Sequence, residues 1–247
     1  MNDTIRLLMN HRSIRSYKPD AVTDEQLEAI VAAGQMASSS SNVQAYSVIA
    51  VKDPERKASL ARMAGSQRYI EECPVFLVWC ADLYRLQHAV QKHQPDQESY
   101  ADAVENFIVA TADVTLAAQN AAIAAESMGL GVVYIGGIRT DIEGVSELLA
   151  LPELVYPIYG MCLGYPNQEP GLRPRLPLKA VLHQEAYQAD TTLQAVEEYD
   201  RTMVQYLSER TGGTKTTSWS EQMAQKLTTP SRMQLKAFLD KKGFNKR

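Results

Sequence analysis

The spacing of apolar residues predicts alternating helices and strands over the first two thirds of the chain. In "VTDEQLEAIVAAG", Leu27, Ile30 and Val31 share one helical face. Thr23 and Gln26 form a capping box at the start of that helix. Four runs rich in β-branched and other apolar residues, "YSVIAV", "PVFLVWCA", "GVVYIGG" and "YPIYGMCLGYP", predict four strands.

A long apolar helix is predicted from about Glu98 to Met128. Its middle, "FIVATADVTLAAQNAAIAA", is apolar enough to suggest a membrane span. Three polar residues interrupt this run: Asp113, Gln119 and Asn120. Because burying such side chains in lipid is costly, the pattern favours the central helix of a globular core, hydrophobic nearly all round.

The chain changes character at about residue 166. "NQEPGLRPRLP" is rich in proline and glycine, and the residues after it predict polar helices and loops with few strands. This tail has too thin an apolar face to fold alone, so we expect it to wrap a neighbour. Four strands among unevenly ordered helices predict an α+β fold rather than a regular βαβ sheet. We expect one domain overall, with a core over 1–165 and an extension over 166–247.

Composition narrows the class of protein. The chain has 247 residues, with 25 Lys+Arg against 29 Asp+Glu and a formal net charge of -4. Mild acidity argues against general binding of nucleic acid or an anionic membrane. Three cysteines without a CxxC pair, and histidines without metal-ligand spacing, predict neither a metal site nor a disulfide framework. "MNDTIRLLMN" lacks the apolar stretch of a signal peptide, which predicts a cytoplasmic protein.

Positive charge is nevertheless concentrated in "HRSIRSYKPD", residues 11–20. His11 and Ser13 offer hydrogen-bond donors, and the guanidinium groups of Arg12 and Arg15 have a fork of donors that suits phosphate oxygens. On an acidic chain, this local cluster favours a small anionic ligand. A solvated basic turn at a helix end is the alternative.

A second pair of cations, Arg173 and Arg175, flanks Pro174. The residue before a proline is held extended, so side chains two positions apart face the same way. Two guanidinium groups on one side of a stiff segment would form a phosphate clamp. An exposed, charged linker is the alternative.

Two further stretches can hold a ligand. The hydroxyls and loop amides of "SSSSN", residues 38–42, can donate to ribityl or phosphate oxygens, although a flexible polar loop has the same composition. Paired glycines in "YIGGI", residues 134–138, allow a ligand to approach the backbone, although a plain turn also uses them. No GxGxxG or nucleophile signature occurs, which favours chemistry supplied by a cofactor.

Taken together, these stretches resemble the flavin-dependent nitroreductase family, in its NADPH:FMN oxidoreductase or oxygen-insensitive NADPH nitroreductase branch. "HRSIRSY", "SSSSNVQAYSVI", "GSQRYI", "AAQNAAIAAESMGLGVVYIGGIR" and "PRLP" match that branch in kind, order and spacing, from about Thr4 to His183. The resemblance implies a mainly antiparallel central sheet, flanked by helices around a long central helix. It also implies a homodimer in which the C-terminal extension wraps the partner and completes the phosphate site.

The same resemblance implies FMN as the cofactor and assigns residues to its parts. The phosphate end would be held by His11, Arg12, Ser13, Arg173 and Arg175. The pyrimidine edge would lie beside Arg15 and Gln67, with Arg15 as an electrostatic stabiliser. The second subunit would contribute Ser39, Ser40 and Ser41. The reactive edge would pass Tyr134, Ile135, Gly136 and Gly137. The family often has lysine at the position of Arg173. Arginine keeps the positive charge of lysine but presents its donors as a planar fork.

The activity implied is transfer of hydride from NADPH or NADH through bound FMN to free flavin, nitroaromatics or quinones, with no side chain as catalytic acid or base. Arg210 and Lys215, in "SERTGGTKTTSW", are candidates to bind NADPH, with a solvated polar loop as the alternative. A non-catalytic flavin-binding or flavin-storage protein would share every phosphate-binding residue. A nucleic-acid-binding module is disfavoured by net acidity and by the lack of interleaved aromatic residues.

Overall fold

Residues 2–247 are described by a computed structural model, in which the chain divides into two units. The first unit contains residues 2–171 and 232–247, and the second contains residues 172–231. Each has helices, and the first also holds a four-stranded antiparallel sheet. The expected α+β class with an antiparallel central sheet is confirmed.

The sheet of the first unit has the strand order β1-β2-β4-β3. Its strands are β1 (Tyr46–Val51), β2 (Val75–Asp82), β3 (Gly131–Ile135) and β4 (Val155–Gly164). β2 and β4 pair in the centre, with Phe76 opposite Cys162 and a register shift between Trp79 and Cys80. Every residue of β2 is buried, since the strand lies between two neighbours and is covered on both faces.

Ten α-helices are present among residues 2–247. In the first unit these are α1 (Asp3–Met9), α2 (Asp24–Gln35), α3 (Pro54–Met63), α4 (Tyr69–Glu72), α5 (Tyr84–His93), α6 (Val104–Ser127), α7 (Ile142–Leu148) and α10 (Leu235–Lys241). The second unit has α8 (Ala189–Arg210) and α9 (Trp219–Thr228). Three short 3₁₀ turns lie at Ser40–Asn42, Gly136–Arg139 and Leu178–Ala180.

Alternate side chains of β2 enter two cores on opposite faces of the sheet. Leu77 and Trp79 belong to the core that also contains buried residues of α2 and α6. Phe76 and Val78 belong to the core that also contains buried residues of α3 and α7. The sheet is therefore a middle layer with helices on both sides.

The central helix α6 is covered on one side only within this chain. Ala117 and Ala121 are buried, whereas Ile108 is 55% exposed and Leu116 is 48% exposed on the opposite side. Among the described residues, α6 is also the helix that is long and apolar enough, by length and composition alone, to cross a membrane. The helix is apolar nearly all round, as expected, but one side of its apolar surface is exposed to solvent within this chain.

The predicted start of the central helix at about Glu98 is wrong. The helix begins at Val104, whose N–H donates to the carbonyl of Arg247 at 2.8 Å. Arg247 also binds the side chains of Glu98 and Asp102. Residues just before Val104 are therefore held by the C-terminal segment instead of continuing the helix.

The second unit is built around α8. Ala195, Tyr199 and Met203 are its buried residues, and the rings of Tyr199 and Trp219 lie 5.9 Å apart. Asp200 accepts a hydrogen bond from the N–H of Ser220 at 2.8 Å, which ties α9 to α8. Large apolar side chains remain exposed on this unit: Leu172, Leu178, Val181, Leu182, Tyr187, Leu193 and Leu227.

Candidate functional site

The basic stretch at the N-terminus lies at the free edge of β3 over residues 13–14 and beside the residues that follow β4 over residues 17–18. Ser13 forms a parallel bridge with Val132, and the N–H of Ile14 donates to the Val132 carbonyl at 2.9 Å. Gly131 allows this approach, because a Cβ at that position would lie 2.5 Å from Cγ1 of Ile14. The segment therefore extends the sheet edge and fixes the candidate phosphate-binding residues on it.

His11, Arg12 and Arg15 of the basic stretch have different surroundings. His11 Nδ1 and Glu126 Oε1 form a 2.6 Å hydrogen bond, which ties the segment to the last turns of α6. Arg15 is exposed. Between them, the Nε atom of Arg12 is buried and has no hydrogen-bond partner among residues 2–247. An unmet buried donor is costly, so this guanidinium favours an additional acceptor.

The structure brings Gln67 against the glycine pair. A Cβ at Gly137 would lie 2.2 Å from Gln67 Nε2 and 2.5 Å from the carbonyl oxygen of Ala64. Gln67 Nε2 donates to that same carbonyl at 2.6 Å, and the Tyr69 hydroxyl donates to Gln67 Oε1. Gln67 is therefore held in one orientation beside a backbone that only glycine allows so close.

The other residues of the "YIGG" stretch continue from β3. Ile135 is buried, and Gly136 begins the 3₁₀ turn that follows the strand. The Tyr134 ring packs edge-on against Tyr159, with ring centroids 5.0 Å apart. The Tyr134 hydroxyl is buried without a hydrogen-bond partner among the described residues, and burial raises its pKa well above the usual value. It therefore remains a neutral hydroxyl.

The serine loop, Ser39 to Ser41, is anchored by a buried acid. Asp113 is 1% exposed and accepts hydrogen bonds from the N–H of Ser40 at 2.9 Å and of Ala45 at 3.1 Å. Three non-glycine residues of this region have positive φ, namely 46° at Ser41, 59° at Asn42 and 52° at Gln44. Such conformations persist where the surroundings enforce them, and they are common at binding sites.

The serine loop does not meet the basic stretch within one chain. The loop binds α6 at Asp113, whereas His11 binds the same helix at Glu126. Thirteen positions along a helix correspond to about 20 Å. The structure thus places the basic stretch beside β3, residues 134–137 at the end of that strand and in the turn after it, and Gln67 against Gly137. It leaves Ser39, Ser40 and Ser41 at a distance from the His11 end of the site.

The candidate phosphate clamp lies in the second unit. Arg173 and Arg175 are both exposed, and Nη1 of Arg175 donates to the Arg173 carbonyl at 3.0 Å. The carbonyl of Pro174, between them, accepts a hydrogen bond from the Tyr199 hydroxyl at 2.9 Å. The stiff segment is thus fastened to α8, and its two guanidinium groups remain available to a ligand.

The two candidate NADPH-binding cations lie at and after the end of α8. Nη1 of Arg210 donates to the Tyr206 hydroxyl at 2.9 Å. The turn between Arg210 and Lys215 contains Gly212 and Gly213, with φ of 59° and 84°. Because glycine takes positive φ at little cost, the chain reverses sharply here and presents Lys215 in an exposed loop.

Sequence reasoning did not identify the two acids that position these segments. Asp113 was visible as a charge interrupting an apolar helix, which signals a buried polar contact. Nothing in the sequence around Glu126 indicated its hydrogen bond with His11. Among residues 2–247, no group of three or more His, Cys, Asp or Glu side chains is placed to hold a metal ion.

Comparisons with known proteins identify the class. The family model for the nitroreductase family matches residues 8–165, and the model for the C-terminal domain of that family matches residues 173–247. The chain belongs to the nitroreductase family, as its sequence motifs predict.

Individual relatives match over the whole length. The "FMN reductase (NADPH)" of Bacillus subtilis is 43% identical over 248 residues, which is 100% of both chains. The "Oxygen-insensitive NADPH nitroreductase" of Salmonella typhimurium is 40% identical, over 99% of this chain and 98% of that one. The solved structure of the NfrA1 nitroreductase from B. subtilis is 42% identical, covers 99% of this chain and 100% of its own, and has a TM-score of 0.95.

The residues present fit FMN. The basic stretch meets β3 at Val132, and the glycine pair follows the same strand with Gln67 against Gly137, which suits an elongated ligand with a phosphate at one end. Between them, the buried Tyr134 hydroxyl has no hydrogen-bond partner among the described residues.

Proposed function

We propose that this protein is an NADPH-dependent FMN oxidoreductase. The observation that carries the proposal is the order of three stretches along β3 and the turn after it: the basic stretch at Val132, then Tyr134, then Gly137 beside Gln67. The relatives' names agree with this activity. Bound FMN would supply the chemistry, accepting hydride from the nicotinamide and passing electrons to an acceptor.

The side chains of this chain would bind and orient the cofactor. The phosphate end would be held by His11 and Ser13, on one side of the basic stretch, with Arg173 and Arg175 adding charge-assisted hydrogen bonds. Arg15 and Gln67 would lie at the pyrimidine edge, where a cation stabilises developing negative charge. Tyr134, Ile135, Gly136 and Gly137 would border the reactive edge of the ring.

The serine loop would act in a homodimer. Ser39, Ser40 and Ser41 are about 20 Å along α6 from the phosphate end of their own chain, so a second subunit would have to supply them. The uncovered apolar side of α6, with Ile108 and Leu116, gives that subunit a surface to bury. The C-terminal extension would complete the phosphate site and wrap the partner through residues 172–231, whose large apolar side chains are mostly exposed, whereas residues 232–247 belong to the first unit.

NADPH would be preferred through its extra phosphate. Arg210 and Lys215 place two exposed cations around a glycine turn, and such a loop can adapt to a nucleotide phosphate. Because hydride transfer is the same for NADH and NADPH, discrimination must come from groups that reach the additional phosphate.

The electron acceptors would be free flavin, nitroaromatics or quinones, and the location cytoplasmic. The proposal on acceptors is supported by relatives named both flavin reductase and nitroreductase. The proposal on location is supported by Asp113, which is buried at the middle of the apolar helix and bound to a loop of the same chain. Such an arrangement suits a helix inside a protein.

An absorbance titration tests this function. The purified protein should show a flavin spectrum, and NADPH added without oxygen should bleach it. A non-catalytic flavin-binding protein would keep its spectrum with NADPH, although dithionite would still bleach it. Mass spectrometry of the released cofactor should give FMN, and FAD or the absence of flavin would contradict the proposal.

A further inference from the structure

The side chains of the basic stretch lie on two sides of the segment. Side chains alternate along an extended chain, so Arg12 and Ile14 face away from Ser13. The structure agrees: Arg12, Ile14 and Lys18 line a cavity of about 540 Å³, and His11, Ser13 and Arg15 do not. The cavity, called here the edge cavity, therefore lies on the side opposite the proposed flavin phosphate residues.

The edge cavity is bounded by the ends of three segments. Asn10 and Leu7 belong to the end of α1, Leu130 precedes β3, and residues 166–170 follow β4. A main-chain hydrogen bond from Asn167 N to Ser16 O, 2.9 Å, holds the 166–170 segment against the basic stretch. All of these residues belong to the first unit, so the cavity is formed without the second one.

The edge cavity contains two cations and two carboxylates, and one of the cations has an unmet buried donor. Arg12 Nε is buried without a hydrogen-bond partner, and no ion pair of Arg12 or Lys18 is seen among residues 2–247. Glu126 is already hydrogen-bonded to His11 at 2.6 Å. The other polar groups are the amides of Asn10, Asn167 and Gln168 and the carboxylate of Glu169.

We propose that the edge cavity is a second binding site, for a small organic phosphate that carries hydroxyl groups. Arg12 and Lys18 would bind the phosphate oxygens, and the amides of Asn167 and Gln168 would bind the hydroxyls. Glu169 accepts from a hydroxyl and repels additional negative charge, which favours one phosphate group over several. The volume, within the usual range for small-molecule sites, exceeds what inorganic phosphate alone would fill.

This site goes beyond the proposed function, because FMN would occupy the side of the segment that carries His11 and Ser13. Calorimetry on the FMN-saturated protein tests it with glycerol 3-phosphate as the probe, and with glycerol and inorganic phosphate as single-group comparisons. We expect saturable binding of glycerol 3-phosphate that is tighter than binding of either comparison. FMN content should be unchanged throughout.

Lys18→Ala should weaken glycerol 3-phosphate binding about tenfold or more, since one charge-assisted contact is lost. Lys52→Ala is the matched control, because Lys52 is a partly exposed lysine outside the cavity that pairs with Asp24. Absence of saturable binding, or equal affinities of both variants, would overturn the proposal. Displacement of FMN by the probe would also overturn it, because the probe would then occupy the flavin phosphate site.

Discussion

Replacing Asp113 with asparagine should both destabilise the fold and weaken FMN binding. The carboxylate is 1% exposed, and its two oxygens accept hydrogen bonds from Ser40 N–H at 2.9 Å and Ala45 N–H at 3.1 Å. Asparagine has the same shape but offers one oxygen and one NH₂ group. One backbone N–H would then face another donor inside the protein.

The size of the effect follows from the loss of one charge-assisted hydrogen bond and the burial of an unmet donor. Together these should cost about 2–3 kcal/mol of the free energy of unfolding. For a chain of this length, that corresponds to a fall in Tm of about 4–12 °C. Because the anchored loop carries Ser39, Ser40 and Ser41, FMN affinity should fall as well.

Thermal unfolding at one fixed protein concentration would measure the first effect, and fluorescence titration of the apoprotein with FMN the second. Asp96→Asn is the matched control, since Asp96 is exposed and the same change there should shift stability by less than about 0.5 kcal/mol. If Asp113→Asn lowered Tm by no more than Asp96→Asn and left FMN affinity unchanged, the assigned role of Asp113 would be refuted.

Three other variants test separate parts of the site. Gly137→Ala should cost about 1–3 kcal/mol and reduce bound flavin, measured by thermal unfolding and absorbance, whereas Gly171→Ala, with open space around it, should do neither. Arg175→Ala should weaken FMN binding by about 1.5–3 kcal/mol in a titration at limiting FMN, and unchanged occupancy would remove it from the clamp. Replacing Arg210 and Lys215 together with alanine should raise KM for NADPH about tenfold and leave KM for NADH nearly unchanged, since exposed contacts are screened. Equal losses with both donors in steady-state kinetics would assign the loop another role.

The elements that the sequence predicts best are those whose pattern is local. β1 spans Tyr46–Val51, the run read as β-branched, and α2 begins with the capping box of Thr23 and Gln26. Both depend on residues within a few positions of one another, so the sequence contains all the information required. The family motifs likewise name Gln67 and the glycine pair, although the contact between them is visible only in the fold.

Features that depend on distant residues were missed. α6 starts six residues later than expected, at Val104, because Arg247 binds the preceding segment. α5 was missed for a different reason, since this short helix has no side-chain cap that marks its start. The roles of Asp113 and Glu126 require knowing which loops approach α6, from 73 and 115 residues away. The spacing of apolar residues along the sequence does not show which distant loops will approach a helix.

The arrangement along α6 links the two halves of the proposed site. One helix binds the basic stretch near its end, through Glu126, and the serine loop at its middle, through Asp113. A rigid helix keeps these two contacts about 20 Å apart, so no local movement of the serine loop can bring it to the phosphate end of its own chain. In a twofold dimer formed through the uncovered side of α6, each surface patch would pair with its copy, so the partner would lie against the helix that holds the serine loop. The buried acid and the uncovered apolar surface then have one explanation: α6 would hold the serine loop in place for the partner's cofactor.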